Sequence, residues 1–575
     1  MNLKPIYTEV NDCKDCYKCI RECPTKAIKI ADNKASIVDD LCIYCGHCVS
    51  ICPAGAKKVR NGISRAKWLI KHKPRVFVSL APSYASEFPN TTSEEMVSAL
   101  KKLGFNGISE TALGAQKVSE QLNSYLEGRQ NGVYISSACP SVVELIRKYY
   151  PQHTMAITPF MSPMLAHAKM LKDWYGEDTS VVFIGPCIAK KLEADNFNQL
   201  IDAALTFKEL SDWLEAENID FTTQGENNEE ANTFIPFEAA DGAIYPLDGG
   251  MINTLNTNSP NTNSSFMSFS GMDQVNSVLK ELDTLGKDRP MFLELLACEG
   301  GCINGPGINK REGIVKKKLS IIEDFNNRKS LDPKPHELPS INIERDYFNI
   351  TPVETTTVTN EAIRQALYSI GKTSVADELN CSGCGYDTCR DFAKALLENR
   401  AESAMCVSYM RQVAHHKATI LLQKIPSGVI IVDDQNKVVE MNHNFAHMLG
   451  QEMELCFEAN PGMRGAELEK LGTFSKHLKA ALLTGKEFKE ITFVENGRNF
   501  QLSIFNIQKH KLVTGIMQNI HQPEFQKDIV EKRTREVISK NMETVQKIAF
   551  LLGENASYTD SLLNSILDAH KEPNA

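Results

Sequence analysis

Two thiols, Cys298 and Cys302, stand four residues apart among glycines in the segment Glu294 to Gly307, Glu-Leu-Leu-Ala-Cys-Glu-Gly-Gly-Cys-Ile-Asn-Gly-Pro-Gly. Thiolates are ligands that iron prefers, and glycines let backbone come close to something bulky. Two cysteines cannot complete a cubane, so other parts of the chain must supply the rest. The 17 cysteines fall in tight groups: eight within residues 13–52, then 139, 187, 298 and 302, then four within 381–406, with Cys456 alone. Sixteen thiols divide into four cubanes. Cys456 is left over and is expected to be a small buried hydrophobe.

Residues 1–60 carry Cys13-x2-Cys16-x2-Cys19-x3-Cys23-Pro24 and then Cys42-x2-Cys45-x2-Cys48-x3-Cys52-Pro53. This is the bacterial ferredoxin run, written twice. Three thiolates of one loop grip one cluster and the fourth reaches across to the other. Cys13, Cys16, Cys19 and Cys52 are expected to hold one [4Fe-4S] cluster; Cys42, Cys45, Cys48 and Cys23 are expected to hold the second. Zinc is the competing metal, and two copies ending in Cys-Pro argue against it. Such a module relays single electrons and does not say where they go.

A basic helical connector over residues 61–74 leads to a domain over 75–365. Four strand-like runs there each end at a special residue: Arg75–Leu80 before Pro82 and Ser83, Gly132–Ile135 before Cys139, Ser180–Ile184 before Cys187, and Met291–Leu296 before Cys298 and Cys302. In α/β folds ligands bind beyond the carboxyl ends of the strands. Four distant cysteines can therefore meet at one buried cluster, although spacing alone leaves open four unrelated buried cysteines.

The three cysteine segments, Ser136–Pro140, Gly185–Glu193 and Glu294–Gly307, resemble in order and spacing the signature motifs of the [FeFe]-hydrogenases, usually Thr-Ser-Cys-Cys-Pro, Met-Pro-Cys-x-x-Lys-x-x-Glu and Glu-x-Met-x-Cys-x-x-Gly-Cys-x-x-Gly-Gly-Gly. The resemblance implies an H-cluster, a [4Fe-4S] cubane bridged by one thiolate to a two-iron subsite with CO, cyanide and a dithiolate. It implies that Cys139, Cys187, Cys298 and Cys302 hold the cubane and that Cys302 is the bridge. Cyanide on buried iron is an anionic acceptor that needs donors. Lys190 matches the family's cyanide-binding lysine, with a surface lysine as its bland alternative. Ser83, with the backbone beside Pro82, matches the donors to the other cyanide.

The departures carry as much meaning. Ala138 stands where catalytic members of the family have a proton-relaying thiol, and Gln121 and Leu122 stand where they have relay carboxylates. Gly185, Leu296 and Val142 also depart from the family pattern. Proton transfer needs titratable groups at hydrogen-bond spacing. The metal ligands are kept and the known proton wire is lost; Glu110, Glu120 or water would have to replace it.

Beyond a polar loop at 254–264 and a strap at 324–356, residues 366–410 read as a small helical [4Fe-4S] domain held by Cys381, Cys384, Cys389 and Cys406, the last two at opposite ends of one helix. Zinc is again the alternative. Residues 411–522 resemble a PAS domain, with an opening hairpin Ile425–Asn442 and later strands Phe488–Val494, Asn499–Ile507 and Val513–Asn519. His443 and His447 are expected on its surface rather than on a haem. Residues 523–575 read as C-terminal helices whose Ile538, Met542, Val545, Ala549 and Leu552 follow two heptads, a seam for a homodimer or for packing on the PAS domain.

The expected fold class is thus multidomain α+β: a ferredoxin-like 2[4Fe-4S] module, an α/β H-domain, a small helical [4Fe-4S] domain and a PAS domain. A net charge of −9 argues against nucleic-acid binding. No apolar run suits a membrane span and no signal peptide is read at the N-terminus, so a cytoplasmic protein is expected. The leading functional expectation is a sensory hydrogenase that slowly and reversibly oxidises H2. Its partners would be H2 and protons, a redox protein such as ferredoxin, the hydrogenase maturation proteins and a signalling output protein. The alternative is an iron–sulfur scaffold or electron carrier without the two-iron subsite.

Overall fold

Strand Val76–Leu80 is buried on both faces, as a central parallel strand with helices on either side must be. In the computed structural model it lies inside a four-stranded parallel sheet, hydrogen-bonded to Gly107–Glu110 and to Ser180–Gly185, which in turn pairs with Ala203–Thr206. A second parallel sheet has three strands, with Pro290–Leu296 between Ser265–Ser270 and Gly132–Ile135. The four strand-like runs that lead to Pro82 and Ser83 and to the cysteines therefore belong to two sheets, two runs in each. The structure describes residues 4–519 apart from 128, 222–231, 259–264, 285–288, 310–312, 332–336, 349–351 and 354–357.

The chain forms two compact units, Met1–Met410 and Arg411–Ala575. In the first unit the ferredoxin-like segment pairs Ile6–Thr8 with Lys57–Val59 and Ile28–Ala31 with Lys34–Ile37, both antiparallel. The connector is the helix Ile63–His72. The expected polar loop at 254–264 is helical at its start, because helix Gly250–Asn258 runs into it. The expected strap begins as the end of helix Ile314–Leu331, and its later part packs back on the domain, with Ile343 and Tyr347 buried. In the four-cysteine segment Cys389 opens helix Cys389–Leu397, but that helix stops before Cys406, which caps a separate short turn, Ser403–Met405. The two cysteines do not share a helix as expected. The intervening Asn399 has positive φ, a backbone state that ends helices.

In the second unit five antiparallel strands, Gly428–Asp433, Val438–Met441, Phe488–Glu495, Arg498–Gln508 and Leu512–Asn519, lie in the spatial order second, first, fifth, fourth, third. Helices fill the crossover from the second strand to the third, and Phe445, Phe474 and Leu478 pack from them on the sheet. His443 and His447 both pair with Glu454 at the surface. Cys456 is exposed; the expectation that it is buried fails because helix Gln451–Ala459 buries none of its residues. The heptad seam and the C-terminal helices lie outside the described residues. Among the described residues no helix is long and apolar enough to cross a membrane.

Candidate metal centre

The carboxyl ends of both parallel sheets open on one cavity of about 110 Å³. Its walls include Cys139, Cys187, Cys298 and Cys302 together with Pro82, Ser83, Ala138, Lys190 and Glu294, and otherwise apolar side chains such as Met164, Phe183 and Leu296. Four thiols from three loops distant in sequence thus line one cavity. Cys298 lies within electrostatic reach of Cys187, Cys302 and Cys139. Glycine makes the approach feasible: a Cβ on Gly301, at φ +100°, would lie 2.3 Å from the Pro246 carbonyl oxygen. A Cβ on Gly305 would lie 2.6 Å from that of Pro186, beside Cys187.

Burial raises the Cys187 thiol to about 11 and the Cys298 and Cys302 thiols further still. A thiolate in so dry a site is costly unless cations neutralise it. Three such thiols, with Cys139 at the same cavity, suit an iron–sulfur cubane.

Lys190 begins the helix that follows Cys187, so its ammonium is carried back over the cavity. It is buried, with Nζ 2.7 Å from the Glu193 carboxylate and 3.5 Å from the Ala138 carbonyl oxygen. Glu193 also accepts from Ser162 Oγ and from Arg345, each at 2.9 Å. Burial opposes the charge of Glu193, yet Lys190, Arg345 and Ser162 outweigh it and hold the carboxyl below its usual range. The Lys-x-x-Glu spacing is therefore helical, and it fixes a buried ammonium beside Ala138.

Glu294 is the carboxylate that sequence reasoning passed over. It sits in the buried strand Pro290–Leu296 and lines the cavity. Its carboxylate accepts the amide N–H groups of Met251 and Ile252, at the start of helix Gly250–Asn258, at 3.3 Å each. Burial outweighs these two bonds and, with the charge of Asp248, raises the carboxyl to about 8. Asp248 in turn accepts from Ser268 and Ser270. The sequence signal was available: a carboxylate inside an apolar strand is costly unless it has a purpose.

The two expected substitutes do not reach the cavity. Glu120 is exposed and pairs with Lys117. Glu110 is fully buried, 2.5 Å from Arg328 Nη1 and 2.8 Å from the Ala239 amide, while Arg328 also donates to the Tyr84 hydroxyl at 3.0 Å. This pair pins helix Ile314–Leu331 to the sheet. Glu110→Gln would leave the buried Arg328 guanidinium with Asp324, 2.9 Å from its Nε, as its remaining carboxylate partner, at a cost of about 1–3 kcal/mol. Thermal unfolding should show that loss, with metal content per folded molecule unchanged.

The remaining cysteines are near one another in part, and Cys381 is exposed. Cys19 is within electrostatic reach of Cys13, Cys16 and Cys52; Cys48 is within reach of Cys45, Cys23 and Cys42; Cys384 is within reach of Cys406 and Cys389. Cys45 lines the same cavity as Cys139 and feels its charge. Gly46, at φ +76°, makes this approach, since a Cβ there would be 2.4 Å from Pro306 Cγ. Gly46→Val combines backbone strain with overpacking and should cost about 2–4 kcal/mol. The checks are thermal unfolding and the iron retained.

Residues 74–306 match the family model of the iron only hydrogenase large subunit, C-terminal domain. Residues 5–53 match a 4Fe-4S dicluster domain and residues 377–408 a putative Fe-S cluster domain. The chain is similar to the NADP-reducing hydrogenase subunit HndD of Solidesulfovibrio fructosivorans, with 25% identity over 415 residues, 58% of this chain and 70% of the relative. It is also similar to the cytosolic iron-sulfur assembly component 3 of Mus musculus, 27% identical over 239 residues, 34% of this chain and 48% of the relative. Among solved structures, the [FeFe]-hydrogenase HydA1 of Chlamydomonas reinhardtii aligns with a TM-score of 0.36 and 17% identity, covering 46% of this chain and 88% of that one.

Proposed function

We propose that this chain, a hydrogenase-like iron–sulfur protein related to the [FeFe]-hydrogenases, senses H2 by oxidising it slowly and reversibly at an H-cluster in the four-thiol cavity. The observation that carries the reading is the buried Lys190 ammonium at the wall of the four-thiol cavity. A plain iron–sulfur scaffold has no use for it. Cys139, Cys187, Cys298 and Cys302 would hold the cubane, with Cys302 carrying the bridge. The two-iron group, when bound, supplies the open iron at which H2 is cleaved.

The chain's own residues do the rest. Lys190 donates to one cyanide, and Ser83 with the backbone beside Pro82 serves the other. Glu193 and Arg345 keep the ammonium aimed. Ala138 has no proton to give, so the proton is held instead on the Glu294 carboxyl. Each H2 yields two protons and two electrons. The electrons leave singly, first to the cluster of Cys42, Cys45, Cys48 and Cys23, because Cys45 adjoins Cys139. Cys16 is exposed, which suits exchange between the cluster of Cys13, Cys16, Cys19 and Cys52 and an external ferredoxin-like protein.

The sheet order and helical crossover of the C-terminal unit support a PAS domain, which would pass the redox state to an output protein, as a homodimer. Infrared spectroscopy of protein made with the hydrogenase maturation proteins tests the reading. Bands of bound CO and cyanide, with H2 oxidation far slower than in catalytic hydrogenases, are expected. Their absence would leave the scaffold or electron carrier as the function.

A further inference from the structure

The four-cysteine segment is docked on the ferredoxin-like module. Ile20, Ile28 and Ile30 share one hydrophobic core with Leu367, Phe392 and Met405. The Ile30 amide donates to the Arg400 carbonyl oxygen at 3.1 Å, and the Asp32 amide to the Glu402 carboxylate at 2.6 Å. Gly385, beside Cys384, has φ +94°, and a Cβ on it would lie 2.6 Å from Ile20 Cγ2 and 3.3 Å from the Arg21 amide nitrogen. The Cys384 loop thus presses on the helix Lys18–Arg21, which contains Cys19 and ends two residues before Cys23. The next residue, Tyr386, is within electrostatic reach of both Cys384 and Cys23. It is 3% exposed, and its hydroxyl is buried with no hydrogen-bond partner among the described residues. A buried hydroxyl without an acceptor is costly, and a cluster sulfur is an acceptor.

We infer that the cluster of Cys381, Cys384, Cys389 and Cys406 exchanges single electrons directly with the ferredoxin-type cluster that includes Cys23, and that the Tyr386 hydroxyl donates a hydrogen bond to a sulfur of one of the pair. One cubane loses an electron and the other gains it; no bond forms or breaks and no proton moves. The ferredoxin-like module is then a branch point. One arm meets the four-thiol cavity at Cys45. The other ends at Cys406, the residue before helix Val407–Lys424. The inference rests on the proposed cubanes but not on the two-iron subsite, so it stands even where infrared bands of CO and cyanide are missing.

The test uses the full chain, loaded with iron and sulfide and reduced with dithionite, alongside a Cys384→Ala/Cys389→Ala variant. The variant is expected to lose one cubane's iron, and wild-type electron paramagnetic resonance is expected to show magnetic interaction that the variant lacks. Unchanged iron content, or a wild-type spectrum equal to the variant's plus one isolated cubane signal, would overturn the pairing. Tyr386→Phe keeps the packing and removes the donor. It is expected to lower the midpoint potential of one of the two clusters at unchanged iron content; unchanged potentials would overturn the role given to the hydroxyl.

Discussion

Glu294→Gln lowers H2 oxidation by about 10²- to 10⁴-fold, the range for loss of a positioned acid–base group, while the infrared bands of the bound diatomics persist. The argument is positional. Among the cavity-lining residues Glu294 is the one carboxylate, and its pKa of about 8 lets it hold or release a proton near neutral pH. Glutamine keeps the shape, and its one amide oxygen still accepts from one of the Met251 and Ile252 amides. It cannot carry a proton in transit. The pH profile of the wild type should bend near pH 8, and that inflection should vanish in the variant. Stability supplies the sign check. Folding raises this carboxyl from an ordinary 4.5 to about 8, so the folded state binds the extra proton between those values. Its contribution is fully present below pH 4.5 and is lost as pH climbs through 8. Glu294→Gln protein carrying its cubanes but no two-iron subsite should therefore gain on the wild type as pH rises across that window, read by thermal unfolding. Ala138→Cys alone should leave turnover low, because Gln121 and Leu122 stand where the relay carboxylates that serve such a thiol are expected. If Glu294→Gln oxidised H2 at the wild-type rate, the proton would be leaving by another route.

The parts of this architecture that could be read ahead of the structure are those whose chemistry constrains spacing. Cys-x2-Cys-x2-Cys-x3-Cys-Pro is short because three thiolates must reach one cluster, and the run carries its meaning locally. The strand ends before Pro82, Cys139, Cys187 and Cys298 were legible because buried parallel strands are continuous apolar runs. Tertiary facts were not. That Val76–Leu80 and Pro290–Leu296 belong to different sheets depends on pairing partners far off in the chain. Glu294 was visible as a letter in a motif, but its role needed the cavity, the Gly250–Asn258 helix start and the absence of a titratable group at Ala138. Gly46 and Gly385 show the same limit. Each looks like a loop glycine, and each is the point where one module meets another, against Pro306 and Ile20.

Lys190→Met abolishes the CO and cyanide bands and H2 uptake, yet leaves the four-thiol cubane and its spectrum in place. The side chains are similar in length, so the change removes charge and donors with little change in volume. A cyanide nitrogen left in a dry cavity without its donor bears the full desolvation cost of an anionic acceptor. Maturation would then fail to seat the two-iron group. Glu193 remains held by Arg345 and Ser162, so the helix Ala189–Asn196 should keep its place and the folding loss should stay well below the about 3–5 kcal/mol of an unpaired buried charge. Iron analysis separates the alternatives. Loss of only the two-iron subsite, with the cubane signals intact, is the expected result. Loss of the cubane as well would make Lys190 a structural residue paired with Glu193. Retention of both the bands and the uptake would mean that the ammonium serves the fold alone, and the reading of the cavity as a diatomic-binding iron site would lose its support.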